Sequence, residues 1–96
     1  MAGQSFTYAG TGAQTEMDIP VNNDATINIV AGATDVFSIQ TRTENGVNWV
    51  SSPSYTDISG NQSVSITGPI EALRLNITTN TSGAIMMDVG HRYGGN

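Results

Sequence analysis

The 96-residue chain contains no cysteine and no lysine, and it has a single histidine. Without cysteine, no disulfide stabilises the fold and no thiolate acts as nucleophile or metal ligand. One histidine and no cysteine also exclude a zinc site of the usual kinds, which draws several ligands from these two residue types. The sequence therefore predicts a domain without a metal or cofactor.

Charge of either sign is scarce as well. Charged residues make up 11% of the chain, the net charge is −5, and the cations are Arg42, Arg74 and Arg92. A protein that tracks phosphates needs a basic stripe, and an anionic membrane surface attracts clustered cations. No apolar stretch approaches the roughly 20 residues of a spanning helix. We therefore expect no nucleic-acid partner and no membrane partner.

What the chain does have is hydroxyl and amide side chains among short β-forming runs. Ser, Thr, Asn and Gln account for 34 residues, and glycines divide the chain into runs rich in Ile, Val and Thr. These runs alternate apolar and polar positions, which is typical of strands with one buried face. The side chains expected to point inward are Ile27, Ile29, Phe37, Ile39, Val47, Trp49, Val64, Ile66, Leu73, Leu75, Ile77, Ile85, Met87 and Val89.

About seven such strands, spaced roughly 8–12 residues apart, predict an all-β fold: a single antiparallel β-sandwich, Ig-like or jelly-roll-like. Pro20 favours an edge position for the strand at 17–21, because proline cannot donate to the ladder. Asn45-Gly46 predicts a hairpin turn, and residues 80–83 predict a second. We assign residues 1–15 to an extended N-terminal arm, 16–90 to the sandwich and 91–96 to a C-terminal tail.

No arrangement of catalytic residues is evident. His91 lies in a glycine-rich tail, where it is hard to hold beside a nucleophile. Glu16 with Asp18, and Asp24 with Asp35, are the acid pairs that the strand pattern brings together, but a domain of this size has little room for a glycosidase cleft between them. The sequence predicts that the protein is not an enzyme.

The single tryptophan allows two interpretations. Trp49 is in phase with Val47, which favours a position in the core of the sandwich. Alternatively, Trp49 and Tyr55 form a platform on which a sugar stacks, as in a carbohydrate-binding or tail-associated adhesion module.

The two ends of the chain carry the remaining candidate residues. Phe6, Tyr8 and Tyr93 are aromatic, terminal and close to glycines, and His91 and Arg92 adjoin Tyr93. Aromatic side chains on such ends are typical interface anchors, so these five residues are the predicted partner-binding residues. Packing of both ends onto their own domain is the alternative.

The stretch 36–89 also has a recognisable layout. A strand is followed by an Asn-Gly turn into a tryptophan-containing run, a TDISG loop, a Gly-Pro break, a strand with an arginine, and a final strand opened by Ser-Gly. This layout resembles small β-sandwich virion proteins of tailed bacteriophages, especially capsid decoration (cement) proteins. The resemblance implies a virion location on the capsid surface, after assembly in the host cytoplasm. It also implies the major capsid protein as partner and a homo-oligomer, with a trimer favoured.

Overall fold

The computed structural model describes residues 2–15, 17–18, 25–43, 46–66 and 71–91. These residues form eight β-strands and one 3-10 turn, at Pro53–Tyr55, and include no α-helix. The strands are β1 (Ala2–Tyr8), β2 (Gly12–Ala13), β3 (Met17–Asp18), β4 (Ala25–Val30), β5 (Val36–Arg42), β6 (Gln62–Ile66), β7 (Ala72–Thr79) and β8 (Ile85–His91).

The first sheet has four antiparallel strands in the order β1-β8-β4-β6. Its register aligns one residue from each strand in a row across the sheet: Ser5, Asp88, Asn28 and Ser63. Strands that are distant in the sequence thus place polar side chains side by side.

The second sheet is built around β7, which pairs with β2 and β3 along one edge and with β5 along the other. Since β2 and β3 share one edge, the two sheets hold seven strand positions. The predicted all-β sandwich of about seven strands is confirmed. The far edge of β5 is joined by residues 46–60 through two isolated bridges, Phe37 with Ile58 and Thr41 with Val50.

The strand order distinguishes between the two predicted sandwich types. Every connection between consecutive strands leads from one sheet to the other, except the connection between β2 and β3, which share one edge of the second sheet. At the predicted hairpin turn, Gly46 N–H donates to Thr43 O (2.9 Å), and Asn45 lies outside the described residues. An immunoglobulin-like sandwich instead pairs several consecutive strands within a sheet. The arrangement is that of a jelly roll, which interleaves two sheets through Greek-key connections.

The core lies between the sheets and follows the predicted alternation. In β4, Ala25, Ile27 and Ile29 are buried while the residues between them are exposed. Each fully buried aliphatic side chain of this kind contributes roughly 1.5–3 kcal/mol. Most of the predicted inward set is buried, namely Ile27, Ile29, Phe37, Ile39, Val64, Leu73, Leu75, Ile77, Ile85, Met87 and Val89.

Val47, Trp49 and Ile66 are the three residues of this set that are not buried. Ile66 still packs against the core, whereas the predicted core position of Trp49 is wrong. Residues 46–50 form no strand beyond the bridge at Val50, so the alternation that put Trp49 in phase with Val47 does not apply. Val47 is 85% exposed and Trp49 is half-buried outside the core. Because this segment has only one bridge to β5, between Val50 and Thr41, no ladder forces its apolar side chains inward.

The chain ends and the second turn also differ in detail from a simple arm and hairpin. Residues 2–15 contribute β1 to the first sheet and β2 to the second, with a bend at Gly10 between them. The turn at residues 80–83 joins β7 to β8, which lie in different sheets, so it links the sheets instead of closing a hairpin. Of the predicted tail, His91 ends β8, and residues 92–96 lie outside the described residues.

Candidate functional site

A buried carboxylate connects two loops at one end of the sandwich. Asp35 accepts backbone hydrogen bonds from Gly32 N–H (2.8 Å), Thr81 N–H (2.7 Å) and Ser82 N–H (3.0 Å). The hydroxyls of Ser82 (2.5 Å) and Thr81 (3.1 Å) donate to it as well. Led by the Ser82 hydroxyl, these donors hold the pKa of Asp35 far below the ordinary aspartate value. We call these four residues the Asp35 cluster.

The Asp35 cluster fastens the β4–β5 connection to the β7–β8 turn. Asp35 is buried, and its two oxygens receive five hydrogen bonds from the protein itself. These five donors stabilise the anionic form of the carboxylate and leave it no free lone pair for a ligand. Asp35 is therefore a structural residue.

The outer face of the second sheet carries the tryptophan. The guanidinium carbon of Arg74 lies 4.3 Å from the centre of the Trp49 ring, and that of Arg42 lies 5.1 Å from it. Arg74 Nε–H also donates to Gln40 Oε1 (2.8 Å), and Arg42 pairs with Glu71 (3.4 Å). Cation–π contact supplies the packing that this ring lacks in the core. The contact holds residues 46–50 against β5 and β7.

Tyr55 is placed differently from Trp49. It lies in the 3-10 turn and packs against the hydrophobic core. Among the described residues the recorded ring pair is Phe6 with Tyr8, and no contact joins the rings of Trp49 and Tyr55. The two rings of the predicted sugar platform are therefore not stacked on each other.

The aromatic residues of β1 pack within the domain. The Phe6 and Tyr8 rings are stacked with their centres 6.1 Å apart, and Tyr8 is buried in the core. Burial raises the pKa of Tyr8 to about 12, and among the described residues its hydroxyl has no hydrogen-bond partner. His91 lies at the end of β8, while Arg92 and Tyr93 lie outside the described residues. What β1 offers a partner is therefore its backbone edge, not its rings.

A groove crosses the outer face of the first sheet. It is open to solvent, has a volume of about 580 Å³, and is lined by Gln4, Ser5, Thr26, Asn28, Asp88, Val89 and Gly90. The row of Ser5, Asp88 and Asn28 stands along it, on three adjacent strands. In the neighbouring row Gly90 lies between Gly3 and Thr26, so no side chain covers the surface of β1 and β8 there. We call this depression the outer groove.

The polar groups of the outer groove are largely free of protein partners. Asn28 Oδ1 accepts from the Ser63 hydroxyl (2.7 Å), which leaves the Asn28 amide N–H groups available. Among the described residues, no protein group bonds the Asp88 carboxylate or the Ser5 and Thr26 hydroxyls. The groove combines an exposed carboxylate, an amide and hydroxyls within the reach of one small molecule.

Asp88 is not among the site residues predicted from the sequence. Of the acids considered there, Asp35 is structural, Asp18 lies in β3, and Glu16 and Asp24 lie outside the described residues. The available signal was the alternation of β8, which turns Asp88 outward between two inward residues, Met87 and Val89.

Across the described parts of the chain, no three His, Asp or Glu residues lie close enough to hold a metal ion. Nor do these parts contain a helix long and apolar enough to cross a membrane. Comparison with models of known families, with curated proteins and with solved structures gave no match.

Proposed function

We propose that this chain is a structural protein of a bacteriophage virion, of the capsid decoration (cement) type, which binds the major capsid protein and stabilises the shell. The layout of residues 36–89 supports this role. So does the jelly roll, a fold used by viral capsid proteins as well as by lectins.

The observation that carries the proposal is the open edge of β1. Among the described residues, this seven-residue strand pairs only with β8, and its sequence, AGQSFTY, contains no charge and no proline. Proteins that avoid edge pairing protect such a strand with lysine, proline or a covering loop. An unprotected edge suits a protein whose strand pairs with another chain.

The other edges of the two sheets are less suited to this pairing. β6, at the opposite edge of the first sheet, has five residues. In the second sheet, β5 is bridged by residues 50 and 58, and the far edge is divided between β2 and β3, of two residues each. The partner we propose for β1 is an extended segment of the major capsid protein. A homo-oligomer, with a trimer favoured, would present several such edges to the capsid surface.

Lysine substitutions at the two edges of the first sheet test the proposal. Shells that lack the protein are incubated with wild-type protein, with Thr7→Lys in β1, or with Ser65→Lys in β6. Both residues are exposed. A charge at the pairing edge obstructs an incoming strand, so Thr7→Lys should bind shells about tenfold more weakly. Ser65→Lys, the matched control, should bind within about twofold of wild type.

Two quantities are measured: the amount of protein that stays bound to the shells, and the temperature at which the shells open. Wild-type protein should raise the temperature at which the shells open, and Thr7→Lys should raise it less. Equal binding by both lysine variants and wild type would contradict the proposal that the β1 edge binds the shell. Binding to tail components but not to shells would overturn the capsid assignment.

Carbohydrate binding is the second candidate function, and the outer groove is the observation that favours it. Its uncommitted hydroxyl, amide and carboxylate groups complement the hydroxyls of a sugar, whereas the Trp49 ring is contacted by two arginines and Tyr55 packs against the core. A glycan array probed with the labelled protein tests this function, and an array without binding would exclude it.

A further inference from the structure

We propose that the outer groove binds a neutral sugar ring, with Asp88 and Asn28 as its principal hydrogen-bonding residues. The inference rests on the second candidate function and gives it a site other than the predicted aromatic platform.

The hydrogen-bonding groups of the groove complement a pair of adjacent hydroxyls. An ionised carboxylate only accepts hydrogen bonds, whereas a primary amide donates two and a hydroxyl does both. Asp88 and Asn28 are direct cross-strand partners, so their Cβ atoms are roughly 4.5–5.5 Å apart. Two neighbouring sugar hydroxyls can thus donate to Asp88 while one of their oxygens accepts from the Asn28 amide. Ser5, on the other side of Asp88, adds a hydroxyl.

An apolar pair lies one register row away from these polar residues. Val30 and Met86 are cross-strand partners on the same outer face and are 47% and 43% exposed. A pyranose ring is polar around its rim and apolar on its C–H faces, so it needs both kinds of surface. The first sheet places Val30 and Met86 about 7 Å from Asn28 and Asp88 along β4 and β8, next to the residues that line the groove but not among them.

Charge and size exclude other classes of ligand. The groove lining contains one carboxylate and no cation, so it repels phosphates, sulfates and acidic sugars. A single carboxylate also falls short of the oxygen set that Ca²⁺ requires. The volume of about 580 Å³ lies within the range of small-molecule sites, roughly 300–1,000 Å³. A neutral polyhydroxylated ring fits these limits.

Titration of the ¹⁵N-labelled chain with the methyl α-glycosides of glucose, mannose and galactose tests the inference. At least one of the three should shift the amide signals of Ser5, Asn28, Asp88 and Gly90, with a Kd of about 1–10 mM, as expected for one small ring in an open site. A methyl glucuronide should bind more weakly than the neutral sugar.

Two variants with the same charge change separate the groove from the rest of the surface. Asp88→Asn should weaken the sugar at least about fivefold, because an acceptor-only group becomes partly a donor. Asp57→Asn removes an equal charge from the exposed loop before β6, where asparagine tolerates the positive φ of 52°. It should bind the sugar within about twofold of wild type.

The possible results distinguish a failure of the outer groove as the sugar site from a failure of carbohydrate binding as the function. Shifts centred on Trp49 and Tyr55, equal affinity for Asp88→Asn and wild type, or tighter binding of the glucuronide would overturn the groove as the site while leaving carbohydrate binding in place. No shift with any of the three glycosides at about 50 mM, together with an array without binding, would overturn both. Neither result bears on capsid binding through β1.

Discussion

Asp35 and Asp88 are the same residue type in one small sandwich, yet their surroundings differ completely. Asp35 is buried at the end of the sandwich and accepts five hydrogen bonds from three residues. Asp88 is exposed on the outer face of the first sheet, and no described protein group donates to it. The first carboxylate completes the fold, whereas the second remains free to bind something else.

The same distinction separates the two outer faces. On the second sheet, Trp49, Arg42 and Arg74 are exposed in part but engaged with one another. On the first sheet, Ser5, Thr26 and Asp88 are exposed without protein partners among the described residues. Exposure alone therefore does not identify a binding residue in this protein. A free hydrogen-bonding capacity next to a depression does.

Replacing each aspartate by asparagine should give the largest contrast. In Asp35→Asn, an amide N–H₂ faces groups that are themselves donors, so the variant loses hydrogen bonds and gains a repulsive contact in a buried position. We expect its thermal midpoint to fall well below those of wild type and Asp88→Asn. Asp88→Asn should stay within about 0.5 kcal/mol of wild type in the free energy of unfolding.

Thermal unfolding followed by circular dichroism at neutral pH measures both variants. Equal losses of stability would contradict the division into a structural and a free carboxylate. A marked loss in Asp88→Asn alone would show that the groove carboxylate supports the fold.

The core was predictable from the sequence because it depends on local alternation. The buried positions of β4 and β8, such as Ile27, Ile29 and Met87, are fixed once each strand has one inner face. The jelly-roll order was not predictable to the same degree, since it depends on which strands pair. Short apolar runs of similar composition do not specify their partners.

The candidate site depends on distant parts of the chain. Four of the five hydrogen bonds that Asp35 accepts come from Thr81 and Ser82, 46 and 47 residues away, and only the one from Gly32 N–H is local. The sequence around Asp35 therefore does not mark that carboxylate as structural. The outer groove requires the register of β1, β8 and β4 together. The position of Trp49 was predicted wrongly because its segment alternates like a strand but pairs with β5 only through an isolated bridge at Val50.

Acidification should remove the contribution of Asp35 selectively. Its pKa is lowered in the folded state, so its contribution to stability is complete above the ordinary value of 3.8 and is lost as the pH falls below it. The difference in thermal midpoint between wild type and Asp35→Asn should therefore be largest near neutral pH and should shrink towards about pH 2. Melts of both proteins across this range measure it. An unchanged difference would mean that the charge of Asp35 contributes nothing.

The smallest expected effect concerns the engaged face of the second sheet. Each cation–π contact of Trp49 is worth about 0.5–2 kcal/mol. We expect Trp49→Leu to lower the free energy of unfolding by about 1–2 kcal/mol, less than the roughly 3–5 kcal/mol expected for Phe37→Ala in the core. Val47→Ala, at a neighbouring residue that is 85% exposed, is the control and should change it by less than about 0.5 kcal/mol.

A double-mutant cycle of Trp49→Leu with Arg74→Gln isolates the contact from its surroundings. Denaturant unfolding of the four proteins should give a coupling energy of about 0.5–1 kcal/mol, since the guanidinium lies 4.3 Å from the ring centre. If the coupling is zero, Trp49 is exposed without being engaged, and the second sheet also offers a free surface. The contrast between the two faces would then fail, and the aromatic platform would again compete with the outer groove as the sugar site.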